Sequence, residues 1–311
     1  MDKHIFTKAL FDSLKKHLDN CKQKYTAYPK FVFLCGKTFS SESDFEQSNR
    51  GVIKKFINRQ TDCFTIVLSE KLWEDGFSSN IDLLTFEEFL AEISDFIILF
   101  PESPGSFCEL GAFSYATERF CKKLIIVNDE THRQSKSFIE TGPISKARTN
   151  GAKIIYANLD RGLLSSKELR DTIKEIIKEI SNPLSSKNQK IINRTENEVS
   201  ISSFIYEILE LIKLLQPINS KDLIDVYKTL KGFSSFSFIK DGEPKTKFDL
   251  NIDYIYKLLH FSNIIKIDGN KMLSLVCSNK VKNLMLNYQG QTAEKERNKF
   301  LCRKYKYGGL I

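Results

Sequence analysis

The chain has 311 residues, of which 41% are hydrophobic and 28% charged, with a formal net charge of +8. That balance excludes a disordered or fibrous polymer and allows one large domain or two ordinary ones. The mild basic bias permits a nucleic-acid partner without demanding one.

In chain order, residues 3–20 show helical spacing through Ile5, Leu10, Leu14 and Leu18. The run Phe31-Val-Phe-Leu-Cys35, closed by Gly36, has the form of a buried strand. A helix is expected from near Asp44, where Phe45, Val52, Ile53, Phe56 and Ile57 recur at helical spacing. Gly51 inside that pattern is consistent with close helix–sheet packing. Apolar runs at 63–68, 96–100, 124–127 and 153–156 predict four more buried strands, with helical patterns at 82–93, 106–120 and 165–181 between and after them. Continuous apolar runs alternating with helices indicate a parallel sheet covered on both faces. The expectation is a flavodoxin-like, doubly wound α/β domain over residues 1–181.

The polar stretch beginning Asn182-Pro-Leu-Ser-Ser reads as a linker, taken as 182–198. Residues 199–311 differ in kind. An apolar helix at 199–215 is followed by a second opening at Asn219-Ser-Lys-Asp, with Ser220 a plausible N-cap, and a third at about 249–262. The segment 264–276 alternates around Asp268-Gly269, a strong hairpin signal. Three helices and then a hairpin is the order of a winged-helix domain. Between 280 and 306 there are eight bases and two acids, a net +6, interleaved with Tyr288, Phe300, Tyr305 and Tyr307. A solvated, snorkelling face would have that composition. So would a surface that binds phosphates and stacks on bases, and beside a winged-helix pattern the second reading is preferred. Lys257, Lys271, Lys280, Lys282, Arg297, Arg303 and Lys304 are the candidate nucleic-acid contacts, with His260 beside them. A protein-docking role for the same fold stays open.

The seven cysteines, Cys21, Cys35, Cys63, Cys108, Cys121, Cys277 and Cys302, form no C-x-x-C and lie mostly in apolar runs, the usage of a reducing compartment. The N-terminal segment is not signal-like, and no apolar run nears the roughly 18 residues that span a bilayer. A soluble cytoplasmic protein without a membrane partner is expected. The four histidines form no metal-ligand pair, so no metal site is expected. His132 and Arg133 follow the fourth strand and either line a pocket or sit on a surface loop.

The most informative stretch runs from Asp95 to Ala112: a strand, a Pro/Gly turn, and a helix carrying Glu109 near its start. Ligands of parallel α/β sheets bind where strands hand over to helices, and a carboxylate there can act as nucleophile or base. The bland alternative is a capping box, in which Ser106 caps the helix and Glu109 reaches back to its N–H. Gly111 and Ala112 are small enough to let the helix lie close to the strands.

The motif Pro104-Gly-Ser-x-x-Glu109-Leu-Gly-x-Ala/Phe, with the opening strand Phe31-Val-Phe-Leu-Cys-Gly36, resembles the nucleoside 2-deoxyribosyltransferase family. The resemblance implies that Glu109 attacks the anomeric carbon of a nucleoside and displaces the base. It makes Gly36, Lys37, Asp95, Glu102, Ser103, Gly105 and Ser106 the candidate substrate-binding residues. A further base-handling aspartate of that family is replaced here near Ser103, and its upstream acid corresponds to Glu87 or Glu88. Weakened base contacts favour hydrolysis of a nucleotide with a cationic leaving group, with NAD as substrate and no separate cofactor. Such a domain followed by a basic winged helix resembles the effector proteins of bacterial retrons. That implies an antiphage toxin held inactive by a reverse transcriptase and its multicopy single-stranded DNA, in a homo-oligomer or higher assembly. The rival expectations are a nucleotide-sensing, DNA-binding regulator without turnover, and a structural scaffold in which Glu109 is only a cap.

Overall fold

The computed structural model describes residues 30–60, 64–73, 81–116, 118–159, 161–181, 197–240 and 243–276, with Asp12, Leu14, Lys15 and a few isolated positions after 286. The predicted N-terminal helix and the linker therefore lie almost wholly outside the described residues. Chain contacts separate a unit at Lys30–Asn182 from a unit containing Pro183–Ile311.

The first unit is built on five parallel strands: β1 (Lys30–Cys35), β2 (Phe64–Val67), β3 (Phe96–Leu99), β4 (Leu124–Asp129) and β5 (Lys153–Ala157). Their spatial order, β2-β1-β3-β4-β5, is that of the flavodoxin-like doubly wound class. All six residues of β1 and all four of β3 are buried, as strands covered on both faces require. The Phe45–Ile57 pattern resolves into two helices, α1 (Glu42–Gln47) and α2 (Asn49–Gln60). The break falls at Ser48, whose backbone is extended, and Gly51 lets the second helix approach the first: a Cβ at that position would lie 2.0 Å from the Phe45 carbonyl oxygen. The glycine is thus demanded by helix α1 rather than by the sheet. After β2 come a single turn, α3 (Ser69–Leu72), and the helix α4 (Leu83–Ile93), which starts where Asp82 accepts from the Thr85 N–H. The helix α5 (Pro104–Ala116) follows β3, and a short α6 (Glu118–Cys121) leads to β4. A π-helical turn at Glu140–Ile144 and α7 (Ser145–Thr149) precede β5, and α8 (Lys167–Ser181) ends the unit.

The second unit contains the three expected helices, α9 (Ile201–Leu215), α10 (Ser220–Lys231) and α11 (Ile252–Phe261). The N-cap of α10 is Asn219, whose side chain accepts from the Lys221 N–H, and Ser220 is the first helical residue. The hairpin around Asp268-Gly269 is present as β6 (Ile265–Ile267) and β7 (Met272–Leu275), and β7 also pairs with the short strand Ile218–Asn219. A second hairpin, Ser237–Lys240 with Glu243–Phe248, lies between α10 and α11. The sequence reading did not assign it, although Asp241-Gly242 is the same dipeptide signal as Asp268-Gly269; the proline inside its second strand is unusual for a strand interior. Helix α9 is buried almost all round, including Glu207, Glu210 and Lys213. Glu207 accepts from Tyr227 Oη at 2.8 Å and from Lys231 Nζ at 2.6 Å, and Lys213 Nζ lies 3.3 Å from Glu210. Those partners are what make buried charges tolerable. No described helix is long and apolar enough to cross a membrane.

Candidate active site

The strand order reverses between β1 and β3, and the crevice of such a sheet opens at their carboxyl ends. Two loops meet there. After β1 the chain runs through Gly36 and Lys37. After β3 it turns at Pro101-Glu102-Ser103 and enters α5 at Pro104, a residue suited to the first helical position because its missing N–H needs no partner.

The local hydrogen bonds decide the role of Glu109. Ser103 Oγ accepts from the Ser106 N–H at 3.2 Å, and Ser106 Oγ accepts in return from the N–H groups of Ser103 and Glu102 at 2.9 and 3.0 Å. The helix is therefore capped by a Ser103–Ser106 pair. This removes the capping-box alternative for Ser106 and Glu109: the cap lies three residues earlier than that reading placed it, so Glu109 sits well into α5 and is not needed at its end. One Glu109 carboxylate oxygen, Oε2, is instead closed off from solvent with no hydrogen-bond partner among the described residues.

Glu109 faces two side chains from other elements. A carboxylate oxygen of Glu109, one of Glu87 from α4, and Cys35 Sγ at the end of β1 all lie within 4.8 Å of one another. Successive helical residues point about 100° apart, so only one of Glu87 and Glu88 can enter the crevice, and it is Glu87. Glu87 is buried, hydrogen-bonded by the Ser69 hydroxyl, and its Oε2 likewise has no partner among the described residues. Burial pushes the Glu109 carboxyl up to about 8, helped by the Glu87 charge and opposed by Arg50. Burial also pushes Glu87 up to about 7, against the Ser69 hydrogen bond. Burial, then the Glu109 charge, hold the Cys35 thiol well above its ordinary value. Both carboxyls are thus held above the ordinary carboxylate range, as expected where two carboxylates cannot both ionise cheaply side by side.

Arg50, buried on α2, organises the β1 side of the crevice. Its guanidinium donates to the carbonyls of Leu34 at 3.3 Å and Lys37 at 2.6 Å, and to Glu70 at 3.2 and 2.5 Å. Glu102 ties the two loops together, accepting from the Lys37 N–H at 3.2 Å through one oxygen and from Asn49 Nδ2 at 3.0 Å through the other. A Cβ on Gly36 would meet Glu102 Oε1 at 3.0 Å and Arg50 Cδ at 3.1 Å, so glycine there permits the tie.

Gly36, Lys37, Glu102, Ser103, Gly105 and Ser106 thus share the loop region, but Glu102, Ser103 and Ser106 are engaged with one another's backbone and with the neighbouring loop. Asp95 does not join them. It precedes β3 at the opposite end of the sheet, where it accepts from the Phe31 N–H at 2.9 Å and lies 3.8 Å from Lys30 Nζ. A strand's head and its following loop are separated by the strand itself, and Asp95 belongs to the amino end. His132 and Arg133 form an exposed turn after β4, with Arg133 paired to Glu130 at 2.7 Å and lying over the Tyr156 ring at 4.7 Å. Sequence reasoning missed Cys35, Arg50 and Glu70 as neighbours of Glu109, since nothing local links residues 35, 50, 70, 87 and 109. The available hints were Cys35 directly before Gly36 and the pair Arg50-Gly51 at a predicted helix contact.

Of the candidate nucleic-acid contacts, Lys257 is half-buried on α11 and Lys271 is exposed at the β6–β7 turn with a φ of 59°. Asp268 organises that turn, its Oδ1 accepting from the N–H groups of Asn270 and Met272, both at 2.9 Å. His260 Nδ1 lies 3.3 Å from the Ile265 carbonyl. Lys280, Lys282, Arg297, Arg303 and Lys304 lie outside the described residues.

Residues 46–267 match the family described as STM3845 retron effector protein. The chain belongs to that retron effector family. Two Escherichia coli proteins are similar over most of their length. One, from retron Ec86, is 33% identical over 257 residues, covering 79% of this chain and 77% of its own. The other, from retron Ec73, is 32% identical over 225 residues, covering 66% of this chain and 68% of its own. Both carry names that pair a ribosyltransferase with a DNA-binding protein. The matched segment includes the retron effector's Arg50, Glu87 and Glu109.

Proposed function

We propose that this retron effector is an antiphage toxin that cleaves the N-glycosidic bond of a nucleotide, with NAD as substrate and Glu109 as nucleophile. The observation that carries the reading is the unsatisfied carboxylate pair Glu109–Glu87 in the crevice beyond β1 and β3. An orphaned buried carboxylate is costly to keep, and an oxocarbenium-like sugar cation is the kind of partner that would repay it.

The spacing favours a covalent route. Carboxyl groups about 5 Å apart suit a double displacement, whereas a pair that activates a water between them stands at about 6.5–9.5 Å; here one oxygen of each carboxyl lies within 4.8 Å of the other, which leaves the pair on the close side of that divide. In the first step a Glu109 oxygen bonds to the anomeric carbon, and the bond to the base breaks with its electron pair going to the base. A cationic nicotinamide leaves neutral and needs no proton. In the second step water attacks the same carbon, Glu87 takes the water proton, and the sugar–Glu109 ester bond breaks to restore the carboxylate. Arg50 holds the β1 loop and lends positive charge that favours the ionised form of the pair.

For the second unit the reading is a winged-helix domain that contacts nucleic acid, with an extra hairpin inserted before its third helix, supported by its three helices, its terminal hairpin and the exposed Lys271. The retron effector family and the DNA-binding names of the E. coli relatives support association with retron components; in this reading a reverse transcriptase and its single-stranded DNA restrain the toxin until infection. The test is the NAD and nucleoside content of cells expressing the chain without partners, wild type against Glu109→Gln. Collapse of NAD with the wild type alone supports the reading. Unchanged pools, together with nucleotide binding that the substitution merely weakens, would instead identify a sensor.

A further inference from the structure

The crevice has a property that glycosyl transfer does not use. Its floor is not carboxylate alone: Cys35 Sγ lies with the two carboxylates in one cluster, each within 4.8 Å of the others. The three groups come from β1, α4 and α5, so three separate elements aim at one point. Glu87 is only 6% exposed, and both it and Glu109 leave an oxygen shut from water with no partner among the described residues. Arg50 is the cation whose charge bears on all three groups; its two terminal nitrogens are engaged by Glu70 and two carbonyls, and its buried Nε has no partner among the described residues. Three potential anions therefore depend on one shared counter-charge.

We infer that Cys35, Glu87 and Glu109 form an inhibitory site for one thiophilic divalent cation of the Zn²⁺ or Cd²⁺ class. Sulfur and carboxylate oxygen are both ligands of Zn²⁺, at about 2.3 and 2.0–2.2 Å, and three protein ligands with a fourth position open to water is a common arrangement. Atoms already within 4.8 Å of each other need shifts of about 1 Å to close on a tetrahedral ion. A thiol among the ligands selects against Mg²⁺ and Ca²⁺, which prefer oxygen alone. On binding, Cys35 gives its thiol proton to solvent and its sulfur bonds to the metal, and each carboxyl releases whatever proton it holds to solvent and donates one oxygen. The bound ion occupies the Glu109 oxygen that would otherwise attack the sugar. The inference rests on the carboxylate pair being the working site. It adds a means of silencing it that needs no partner protein.

The test reads metal directly and so stands apart from turnover. Purified full-length protein is titrated with Co²⁺, whose bond to a thiolate produces a near-ultraviolet charge-transfer band, and then with Zn²⁺ in competition. One equivalent should develop the band and Zn²⁺ should abolish it. Cys35→Ala should remove the band, and Glu87→Gln should weaken affinity roughly tenfold or more. Cys108→Ser and Cys302→Ser, at the exposed cysteines, should leave the band intact. Circular dichroism of each variant confirms the fold, and Cys35→Ser serves where Cys35→Ala is unstable. In a turnover assay Zn²⁺ should inhibit the wild type and spare Cys35→Ser. No band at stoichiometric Co²⁺, a band that survives loss of Cys35, or a band lost with Cys108 or Cys302 overturns the inference. An inactive protein that still shows the Cys35-dependent band would sink the glycosidase reading and leave the metal site standing.

Discussion

Two groups of withdrawn carboxylates, one in each unit, are treated in opposite ways. In the second unit Glu207 accepts from Tyr227 and Lys231, and Glu210 sits against Lys213. In the first, Glu87 and Glu109 face each other and a thiol, and each keeps an oxygen with no partner among the described residues. A satisfied buried charge is architecture: it helps to fix how helices meet. An unsatisfied one is held in a poor state by the surrounding fold, and a ligand or a reaction can relieve it.

The largest effect expected from this contrast is on turnover. Glu109→Gln should lower kcat at least about a thousandfold while the fold persists, since the amide cannot act as nucleophile. Glu87→Gln should also reduce turnover. It should shift the Glu109 limb of the pH profile toward acid, because the Glu87 charge helps to raise the Glu109 carboxyl. An unmoved profile would break the pairing.

Next comes stability in the second unit. Glu207→Ala strips Tyr227 and Lys231 of a shared acceptor, and breaking a buried pair costs about 3–5 kcal/mol. Urea unfolding followed by a probe in that unit would measure it. A loss below about 1 kcal/mol would mean that the satisfied carboxylate is as dispensable as the orphaned ones.

The orphaned pair should behave with the opposite sign. Glu109 titrates near 8 when folded against an ordinary 4.5, so between those values the folded chain holds more protons than the unfolded chain. Stability in this window therefore falls as pH rises, and the penalty is fully present above about pH 8 and absent below about pH 4.5. Glu109→Gln removes it, and above pH 8 the variant should be more stable than wild type by on the order of 2 kcal/mol. Thermal melts at pH 5 and pH 8.5 would check this; equal differences at both would refute it.

The smallest expected effect separates cap from catalyst. Ser103→Ala removes the acceptor for the Ser106 N–H and should cost about 1 kcal/mol, with little change in turnover. A large loss of turnover with no loss of stability would move Ser103 from the helix cap to the substrate.

Much of this was legible in the chain. Five continuous apolar runs, each too short for a buried helix, separated by amphipathic patterns, implied the parallel sheet, because only strands covered on both faces lose their polar alternation. The position of Glu109 followed from a Pro/Gly turn between strand and helix. The role of its neighbours did not. Ser106 and Glu109 have capping-box spacing, but the true start of α5 at Pro104 passes the cap to Ser103, and a shift of one helical turn is invisible to a pattern of that length. Asp95 and Glu102 flank the same strand, yet strand direction sends one to the amino end of the sheet and the other to the crevice.

Local periodicity and turn chemistry are properties of neighbouring residues, so the order of strands and helices, and the loop bearing the nucleophile, could be read along the chain. The meeting of Cys35, Glu87 and Glu109 with Arg50 beside them could not. Those residues are 15 to 74 positions apart, and only the crossover topology that sets β1 next to β3 and packs three elements over their carboxyl ends brings them together. Burial did the rest, because withdrawing those carboxyls from water is what leaves them short of partners and ready for chemistry.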